Sequence, residues 1–455
     1  MMFTPEEMAR ITGGEWIGPP PTRGPACIGH DTRERLDGGA YVAIKGDARD
    51  GHDFIQEAGE SGASMAIVKR RMDSPIPCLK VPCTVEAIAR LASHWRDVLA
   101  GTRVIAITGT AGKTSTKNLL HHVLGSTLTG TASPASWNNA IGGPMSLLRA
   151  RQGDDYVVLE VGTSSPGEIE SLAGIIRPDI AMITLIGHGH LEGLADIDGV
   201  RAEKTSLLHH IMPGGLAIVH EDGHAVDVPD GVGLLRHGVS SDSIPRLISR
   251  ASGILTLDDG SCFEFPVPGP HHAVNAVAAI TAARACGMKD SEIHAALAVS
   301  LPSDGRGAIS THGGIDFIND AYNANPDSVA AALMMFPELE SSGRRVVILG
   351  DMLELGDQST RLHLELQSAL MQAHMKSPIG QVLLVGKEMA ALQKSLACEN
   401  LLSAEHWEQL DDQAIREIGD HLTVGDLVLL KGSRGMRLER IPHYIDSIES
   451  EAARA

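Results

Sequence analysis

Residues 104–115 read Val-Ile-Ala-Ile-Thr-Gly-Thr-Ala-Gly-Lys-Thr-Ser. An apolar, strand-like run leads into a glycine-rich turn, and Lys113 and Thr114 then open a helical segment rich in Leu and Val. Such a strand–turn–helix unit binds phosphate, because backbone N–H groups at the helix N-terminus face the anion. The lysine supplies positive charge and the threonine hydroxyl can hold Mg²⁺. The stretch therefore predicts a nucleotide-binding loop in an α/β fold.

The two glycines of this loop are closer together than in the common pattern G-x-x-x-x-G-K-[ST]. Gly109 lies only three residues before Gly112. The alternative interpretation is an ordinary glycine-rich turn between a strand and a helix. The Gly-Lys-Thr-Ser ending and its context favour nucleotide binding, and the short spacing indicates a particular subfamily. The predicted nucleotide-binding positions are Gly109, Thr110, Ala111, Gly112, Lys113, Thr114 and Ser115.

Composition limits the partners and the compartment. A net charge of −19 over 455 residues argues against nucleic acid or an anionic membrane as the main partner. We expect neither a signal peptide nor membrane insertion, because no basic start precedes an apolar run and no run of about 18 apolar residues occurs. The six cysteines form no C-x-x-C pair, which favours reduced thiols in the cytoplasm. We expect a monomer.

The pattern of apolar runs divides the chain into three predicted domains. Residues 1–98 hold short strand-like runs and close with a helix near 84–99. Residues 99–304 alternate strands and helical segments, which predicts a mainly parallel sheet. Residues 305–455 repeat this alternation and predict a smaller doubly wound α/β domain. Helix breakers and polar residues at 301–306 mark a linker.

Within these domains, individual runs are assigned by their apolar pattern. Besides the strand before the loop, the predicted strands are 41–44, 66–68, 156–161, 180–186, 345–349, 381–385 and 427–430. The predicted helices of the third domain are 359–374 and 387–396. No short internal repeat or low-complexity tract interrupts them.

Polar side chains follow two of the central strands where each strand ends. Glu160 interrupts an apolar strand near its carboxyl end, the edge at which open α/β sheets bind ligands. A carboxylate there can coordinate Mg²⁺, or it can simply cap the following loop. His188 and His190 follow the next strand and are either metal ligands or polar loop residues. With 21 histidines in the chain, position rather than the pairing favours a ligand role.

Lys204 lies on the apolar side of a helix-like run, 199–211. The apolar residues that share its face at a spacing of 3.6 are Val200, Leu207, Leu208 and Ile211. Burying an ammonium group is costly unless it is paired or chemically altered. The lysine can extend to solvent, pair with a carboxylate, or react with CO₂ to give a carbamate that could bind Mg²⁺. The sequence pattern does not choose among these outcomes.

Short blocks throughout the chain are similar to those of a known family. The blocks are Asp31-Thr32-Arg33, 41–46, 50–54, 108–115, 136–144, 190–193, 269–276, 319–326, 349–356 and 431–435. On these blocks the chain resembles the Mur ligases over nearly its full length. The runs Tyr-Asn-Ala-Asn-Pro at 322–326 and Gly-Asp-Met-Leu-Glu-Leu-Gly at 350–356 are the most specific. They favour the members that add D-alanyl-D-alanine.

The resemblance implies an architecture and a reaction. It implies a small α/β domain for a UDP-linked substrate, a central parallel-sheet P-loop ATPase domain and a C-terminal Rossmann-like, doubly wound domain. It implies ATP-dependent ligation of D-alanyl-D-alanine to UDP-N-acetylmuramoyl-tripeptide through an acyl phosphate, in cytoplasmic peptidoglycan precursor synthesis. Closure of the domains about the linker would keep water from the acyl phosphate.

The resemblance also implies roles for single residues. Lys113 would contact the phosphates, and Thr114 with Glu160 would hold one Mg²⁺ ion. His190 and a carbamylated Lys204 would hold a second. The implied ATP contacts beyond the loop are Asn275 to adenine, Asp320 to ribose, and Arg306. The implied substrate positions are Thr32, Arg33, Lys45, Gly46, Asn138, Asn139, Asn323, Asn325, Lys431 and Arg434, the last two near the incoming substrate or the phosphates.

Five positions depart from the family pattern, and two other functions stay open. The departures are Leu185, Ser206, Pro270, His272 and Asn319, which concern the adenine site, the surroundings of the metal ligands and the acceptor preference. One alternative is a related amide ligase that adds another amino acid or acts on folate. The other is a non-catalytic nucleotide-binding paralogue. The presence of Lys113, Glu160, His190 and Lys204 argues against the latter.

Overall fold

A computed structural model describes residues 2–222, 226–300, 305–398 and 402–452. Most of the predicted linker, 301–304, lies outside the described residues. The strands form four sheets, one within 1–98, two within 99–304 and one within 305–455. The boundaries of the three domains stay a prediction. In the described part of the chain, none of the helices combines the length and apolar character needed to span a membrane.

The first sheet has five strands in the order β1-β5-β4-β3-β2, and only β1 is antiparallel to its neighbour. Its strands are β1 (Glu15–Ile17), β2 (Ile28–Gly29), β3 (Ala40–Val42), β4 (Met65–Val68) and β5 (Cys78–Lys80). The accompanying helices are α1 (Pro5–Thr12), α2 (Ile55–Glu60) and α3 (Thr84–Val98). Helix α1 begins where it does because Thr4 and Glu7 form a capping box.

The second sheet has six strands, all parallel, in the order β11-β10-β9-β6-β8-β7. They are β6 (Arg103–Thr108), β7 (Gly130–Ala132), β8 (Tyr156–Glu160), β9 (Ile180–Ile183), β10 (Leu216–His220) and β11 (Gly233–His237). Strand β6 lies inside the sheet and its residues 104–107 are fully buried, so both faces carry apolar side chains. The predicted parallel sheet is confirmed.

The helices between residues 99 and 304 pack on both faces of the second sheet. They are α4 (Lys113–Leu124), α5 (Gly142–Leu147), α6 (Glu168–Ile176), α7 (Leu191–Leu194), α8 (Ile197–Thr205), α9 (Pro270–Ala285) and α10 (Asp290–Leu297). The predicted helix 199–211 is confirmed but changes type, because a 3₁₀ turn covers Ser206–His210. Its apolar face is buried, and Lys204 on that face is fully buried.

Strand β9 is shorter than the predicted 180–186 and ends at Ile183. Just past this end, the Thr184 N–H still donates to the Thr108 carbonyl of β6 at 3.0 Å, while the Thr184 hydroxyl donates to the Ala111 carbonyl at 2.5 Å. The Leu185 carbonyl then accepts from the Thr110 N–H at 2.8 Å, and the Gly187 N–H donates to the Thr110 hydroxyl at 3.1 Å. From Leu185 onward the chain therefore bonds to the nucleotide-binding loop instead of to β6.

The third sheet was not predicted. It is antiparallel and consists of β12 (Leu247–Ala251), β13 (Ile254–Leu257) and β14 (Cys262–Glu264). These strands are short, and only some of their side chains are buried, so their apolar signal is weak.

The fourth sheet has the order β15-β16-β20-β17-β18-β19, with the edge strand β15 antiparallel and the others parallel. Its strands are β15 (Ala308–His312), β16 (Ile315–Asn319), β17 (Arg345–Gly350), β18 (Ile379–Val385), β19 (Ala404–Trp407) and β20 (Leu427–Lys431). Its helices are α11 (Pro326–Met335), α12 (Ser359–Lys376), α13 (Met389–Cys398), α14 (Asp412–Asp420) and α15 (Arg440–Ala452). The doubly wound α/β prediction is confirmed, although the strands β15, β16 and β19 were not predicted.

Candidate active site

The predicted nucleotide-binding loop joins the buried end of β6 to the first residue of α4. Gly109 has φ 150° and Gly112 has φ 82°, backbone conformations that favour glycine. A Cβ atom on Gly109 would lie 2.0 Å from the hydroxyl oxygen of Thr184. A Cβ on Gly112 would lie 3.0 Å from the Asn275 amide. Glycine at 109 is therefore favoured by both its close neighbour and its backbone conformation, whereas at 112 the left-handed backbone is the main reason.

Lys113 begins α4, and its amine folds back to donate to the Gly109 carbonyl at 2.6 Å. Burial lowers the pKa of Lys113; the Glu160 carboxylate opposes this shift and the Arg306 guanidinium adds to it. The amine therefore lies in a buried position where anionic phosphate oxygens would compensate its charge.

Glu160, at the carboxyl end of β8, is 1% exposed. One carboxylate oxygen accepts from the Thr114 hydroxyl at 2.7 Å, and the other accepts from the Asn138 amide at 2.8 Å. The amine of Lys117 lies 3.9 Å from this carboxylate and donates to the backbone carbonyls of Ser133, at 2.8 Å, and Ala135. A buried carboxylate beside a hydroxyl provides the hard oxygen ligands that Mg²⁺ prefers.

His190 lies in the loop after β9 and adopts a left-handed backbone conformation, φ 57°. Its Nδ1 atom lies 2.6 Å from a carboxylate oxygen of Glu354, which comes from the fourth sheet's domain. This hydrogen bond lowers the pKa of Glu354. Because Nδ1 is engaged, Nε2 is the nitrogen left to bind another group. Glu354 lies in the block 349–356 that carries the family resemblance, but no local sequence pattern predicts a role for it.

Lys204 is fully buried, and its amine has no hydrogen-bond partner within the described residues. Burial lowers its pKa well below the ordinary value; the charge of Lys113 lowers it further and Glu203 opposes the shift. The Glu203 carboxylate accepts from the backbone N–H groups of Gly167 at 2.7 Å and Ile169 at 2.8 Å. It therefore caps the start of α6 rather than pairing with Lys204.

Residues of the fourth sheet's domain face this loop. The Asn325 amide donates to the Thr110 carbonyl at 3.3 Å, and Asp327 accepts from the His188 N–H at 2.6 Å. Asn325 also caps α11 by accepting from the Ser328 N–H at 2.8 Å. The N-terminus of α11 is therefore seated against the nucleotide-binding loop.

Asp320 and Lys431 form a buried ion pair with 3.0 Å between the carboxylate and the amine. Burial raises the pKa of Asp320, and the charge of Lys431 opposes this shift. The guanidinium carbons of Arg306 and Arg434 lie 4.4 Å and 5.1 Å from the centre of the Tyr322 ring. Burial lowers the pKa of Arg306. These residues form a positively charged wall opposite the loop.

A cavity of about 590 Å³ lies between these parts. The predicted residues in its wall are Thr110, Ala111, Gly112, Lys113, Thr114, Ser115, Asn138, Asn139, Glu160, His190, Asn275, Arg306, Asp320, Asn323, Asn325 and Lys431. Gly109 and Lys204 lie outside the wall, and Arg434 lines an adjoining cavity of about 120 Å³ together with His190. The tertiary structure thus brings most of the predicted site together.

The predicted residues of the first domain lie outside both cavities. Arg33, next to Thr32, pairs with Asp31 at 2.6 Å. Lys45 forms a short β-bridge with Asp50, and the Gly46 N–H donates to the Arg49 carbonyl at 2.9 Å. These four predicted residues therefore form a separate group from the cavity residues.

The departures from the family pattern have structural partners. His271 and His272 line the cavity with ring centres 4.1 Å apart, and burial lowers the pKa of His272 to about 4. Ser206 donates to the Glu203 carbonyl at 2.6 Å, and the Asn319 side chain accepts from the Ala321 N–H at 3.2 Å. Two neutral imidazoles thus stand beside Asn275 at the predicted adenine end of the cavity.

In the described part of the chain, no three His, Cys, Asp or Glu side chains are arranged to hold a metal ion. A metal at Glu160 or His190 would therefore need other ligands. At Glu160, the hydroxyl of Thr114 is one such ligand that lies within hydrogen-bond distance.

Comparison with known proteins identifies the class. Residues 107–283 match the Mur ligase middle domain, and residues 305–434 match the Mur ligase glutamate ligase domain. A crystal structure of MurF from Acinetobacter baumannii has a TM-score of 0.83 and 28% identity, covering 98% of this chain and 99% of that one. A crystal structure of MurF ligase from Thermotoga maritima in complex with ADP shares the fold, with a TM-score of 0.76 and 24% identity over 92% of this chain and 97% of that one.

The chain belongs to the Mur ligase family. A curated relative from Bacillus subtilis, strain 168, is 32% identical over 93% of this chain and 93% of its own length. That relative is a UDP-N-acetylmuramoyl-tripeptide–D-alanyl-D-alanine ligase. The family resemblance, the three-domain α/β fold and the ligase class inferred from the sequence are confirmed.

Proposed function

We propose that this chain joins D-alanyl-D-alanine to UDP-N-acetylmuramoyl-tripeptide, with ATP activating the tripeptide carboxylate in peptidoglycan precursor synthesis. The observation that carries the proposal is one cavity walled by both the nucleotide-binding loop and the 322–326 block. The names of the relatives support the substrates. ATP use is supported by the ADP complex of the Thermotoga relative.

The chemistry starts from a poor electrophile, a carboxylate. Transfer of the γ-phosphoryl group of ATP to a carboxylate oxygen gives an acyl phosphate and ADP. The amine of the dipeptide then attacks the acyl carbon, the amide bond forms, and phosphate leaves with the bonding electron pair. Such a transfer depends on positioning and on neutralising charge. Lys113 and Arg306 supply positive charge at the cavity wall.

The residues at the end of β8 fit a magnesium ion. Thr114 and Glu160 present a hydroxyl and a carboxylate 2.7 Å apart, and both are oxygen ligands. A magnesium ion bound there would neutralise charge on the transferring phosphoryl group. Asn138 would orient the carboxylate, because its amide donates to the other oxygen at 2.8 Å.

We propose that a second cation is held by His190 and a carbamylated Lys204. The carbamate forms when the neutral amine attacks the carbon of CO₂ and releases one proton. A lowered pKa favours that neutral amine, and the amine has no other partner among the described residues. The product is an anion, which would relieve the cost of burying an isolated ammonium group.

The remaining residues receive roles by their place around the cavity. We propose Asn275, Arg306 and Asp320 for ATP, and Asn323, Asn325, Lys431 and Arg434 for the acceptor or the phosphates. For the UDP-linked substrate we propose Asn138 and Asn139, which also line the cavity. Thr32, Arg33, Lys45 and Gly46 would bind its uridine nucleotide on the first domain. In this scheme the substrate spans from the first domain to the cavity.

We further propose the domains 1–98, 99–304 and 305–455, a monomer, and a cytoplasmic location. The free cysteines among the described residues support a reducing compartment. The seating of α11 on the loop would exclude water from the acyl phosphate during reaction. Identical scattering profiles with and without nucleotide and substrate would contradict a closing motion.

One assay tests the reaction. The purified chain is supplied with ATP, UDP-N-acetylmuramoyl-tripeptide and D-alanyl-D-alanine, and phosphate release and product mass are measured. We expect one phosphate per amide bond, and we expect the Lys113→Ala variant to be inactive. Absence of turnover with any dipeptide would rule out this function. Turnover only with a single amino acid or a folate would instead support another ligase of the superfamily.

A further inference from the structure

The turn after β17, residues 351–356, lies directly against helix α7. The Glu354 carboxylate is 2.6 Å from His190 Nδ1, and the Glu354 carbonyl accepts from the Glu192 N–H at 3.1 Å. The Gln358 amide lies 3.5 Å from the Ala195 carbonyl. One residue, Glu354, therefore binds both the side chain of His190 and the backbone next to it.

The shape of this turn suits a close approach. Glu354 has φ 64° and Gly356 has φ 54°, and both values lie in the left-handed region. A Cβ atom on Gly356 would lie 3.4 Å from the Cα atom of Glu192. A non-glycine residue in this conformation is unfavourable and persists where surrounding contacts impose it. At Glu354 these contacts are the hydrogen bonds of its carboxylate with His190 and of its carbonyl with the Glu192 N–H.

The same turn is anchored to the fourth sheet's domain. The Met352 N–H donates to His363 Nε2 at 2.9 Å, and the Leu353 N–H donates to the Ser433 hydroxyl at 2.9 Å. Asp351 accepts from the Met389 N–H at 3.0 Å. Glu354 therefore moves with that domain, whereas His190 belongs to the central one.

A carboxylate bound to one imidazole nitrogen has a known consequence. It fixes the proton on that nitrogen, sets the ring orientation and leaves the other nitrogen as a ligand. For His190 the carboxylate fixes the proton on Nδ1 and presents Nε2. Because the carboxylate comes from another domain, this state exists only while the two domains are docked.

We propose that Glu354 is a positioning residue that couples docking of the C-terminal domain to the orientation and tautomer of His190. This inference rests on the proposed function, in which His190 serves the phosphoryl-transfer site. It means that the site is completed only after the domain carrying the 322–326 block has closed over ATP.

The test compares Glu354→Ala, Glu354→Gln and Asp357→Ala. Asp357 is an exposed carboxylate in the 3₁₀ turn Gly356–Gln358 that follows, and it provides the matched control. Removing a partner of this kind costs roughly 10- to 100-fold in metal affinity or activity. We expect Glu354→Ala to lower kcat by about that factor, with the KM for ATP changed less than about threefold. Glu354→Gln keeps an acceptor oxygen and should recover most of the loss.

Two readouts are independent of substrate turnover. Nitrogen-15 NMR of labelled histidines, with the signal assigned through His190→Gln, should show the Nδ1–H tautomer in wild type and its loss in Glu354→Ala. Affinity for Mn²⁺ in the presence of ADP, measured by EPR, should weaken about tenfold. Glu354→Leu repeats both measurements in a side chain of similar size if the alanine variant is unstable.

The proposal fails if the alanine and leucine variants match Asp357→Ala in tautomer, Mn²⁺ affinity and kcat. If Glu354→Ala changes the tautomer and the Mn²⁺ affinity as expected but the wild-type enzyme does not ligate D-alanyl-D-alanine, only the proposed function is contradicted. The two failures are therefore distinguishable.

Discussion

The side-chain amide of Asn325 donates to the backbone carbonyl of Thr110 at 3.3 Å, across 215 positions of sequence. This bond joins the helix cap of the C-terminal domain to the nucleotide-binding loop of the central one. The same asparagine caps α11, so the helix start and the domain contact depend on one side chain. The cavity of about 590 Å³ is therefore walled by residues of both domains.

Gly109 tests the packing of the loop. Gly109→Ala should destabilise the protein by more than about 2 kcal/mol, because its Cβ would lie 2.0 Å from the Thr184 hydroxyl oxygen. Urea unfolding measures the change. Gly101→Ala is the control, since no heavy atom lies within 4 Å of its added Cβ. Equal midpoints for both variants would show that the loop relaxes freely.

Thr114 tests the magnesium proposal. Thr114→Ala removes the hydroxyl that lies 2.7 Å from Glu160 and should lower kcat by at least about 100-fold while leaving the unfolding midpoint little changed. Thr114→Ser restores a hydroxyl and should recover most activity. The Mg²⁺ concentration at half-maximal rate should rise in the alanine variant. An unchanged Mg²⁺ dependence would remove Thr114 from the metal site.

Lys204 tests the carbamate. Lys204→Ala should abolish ligation, and high bicarbonate should not restore it, because no amine remains to react with CO₂. Carbon-13 NMR after exposure to labelled bicarbonate should show a carbamate signal in wild type that is absent from the variant. Arg201→Ala, which removes a half-buried side chain paired with Asp198 on the same helix, is the control. Near-normal activity of Lys204→Ala would refute the carbamate role.

The buried side chain of His237 should make the free energy of unfolding depend on pH below neutrality. The residue is fully buried, and burial lowers its pKa from 6.5 to about 3. As the pH falls below about 6.5, the unfolded chain therefore binds a proton at this residue before the folded chain does. The histidine thus favours the folded state at neutral pH relative to acid pH, and this contribution to the free energy of unfolding is lost between pH 6.5 and 3. Between pH 7 and 5 the loss should be about 2 kcal/mol.

His237→Gln removes this titration. Urea unfolding at pH 7 and pH 5 should show a stability difference about 2 kcal/mol smaller in the variant than in wild type. Other buried histidines still titrate in both proteins and cancel in the comparison. A difference that is equal in the two proteins would mean that His237 is accessible to protons in the folded state.

The loop, most of the alternation of strands and helices, and the buried face of α8 can be predicted from the amino-acid sequence alone. These features follow from local periodicity. A short continuous apolar run is typical of a parallel strand that is buried on both faces of a sheet, and apolar residues at a spacing of 3.6 are typical of one buried face of a helix. The same reasoning found Lys204 as a lysine among apolar residues, and the structure buries it completely.

The partners of these residues, by contrast, follow from how the folded segments pack against one another. Strand β9 ends three residues before the apolar run does, and from Leu185 onward the chain bonds to the nucleotide-binding loop, a contact that no periodicity predicts. Glu354 reaches His190 and Asn325 reaches Thr110 because two separate sheets dock against each other. Such contacts depend on the relative placement of domains, whereas local sequence pattern reports only the burial and periodicity of each segment.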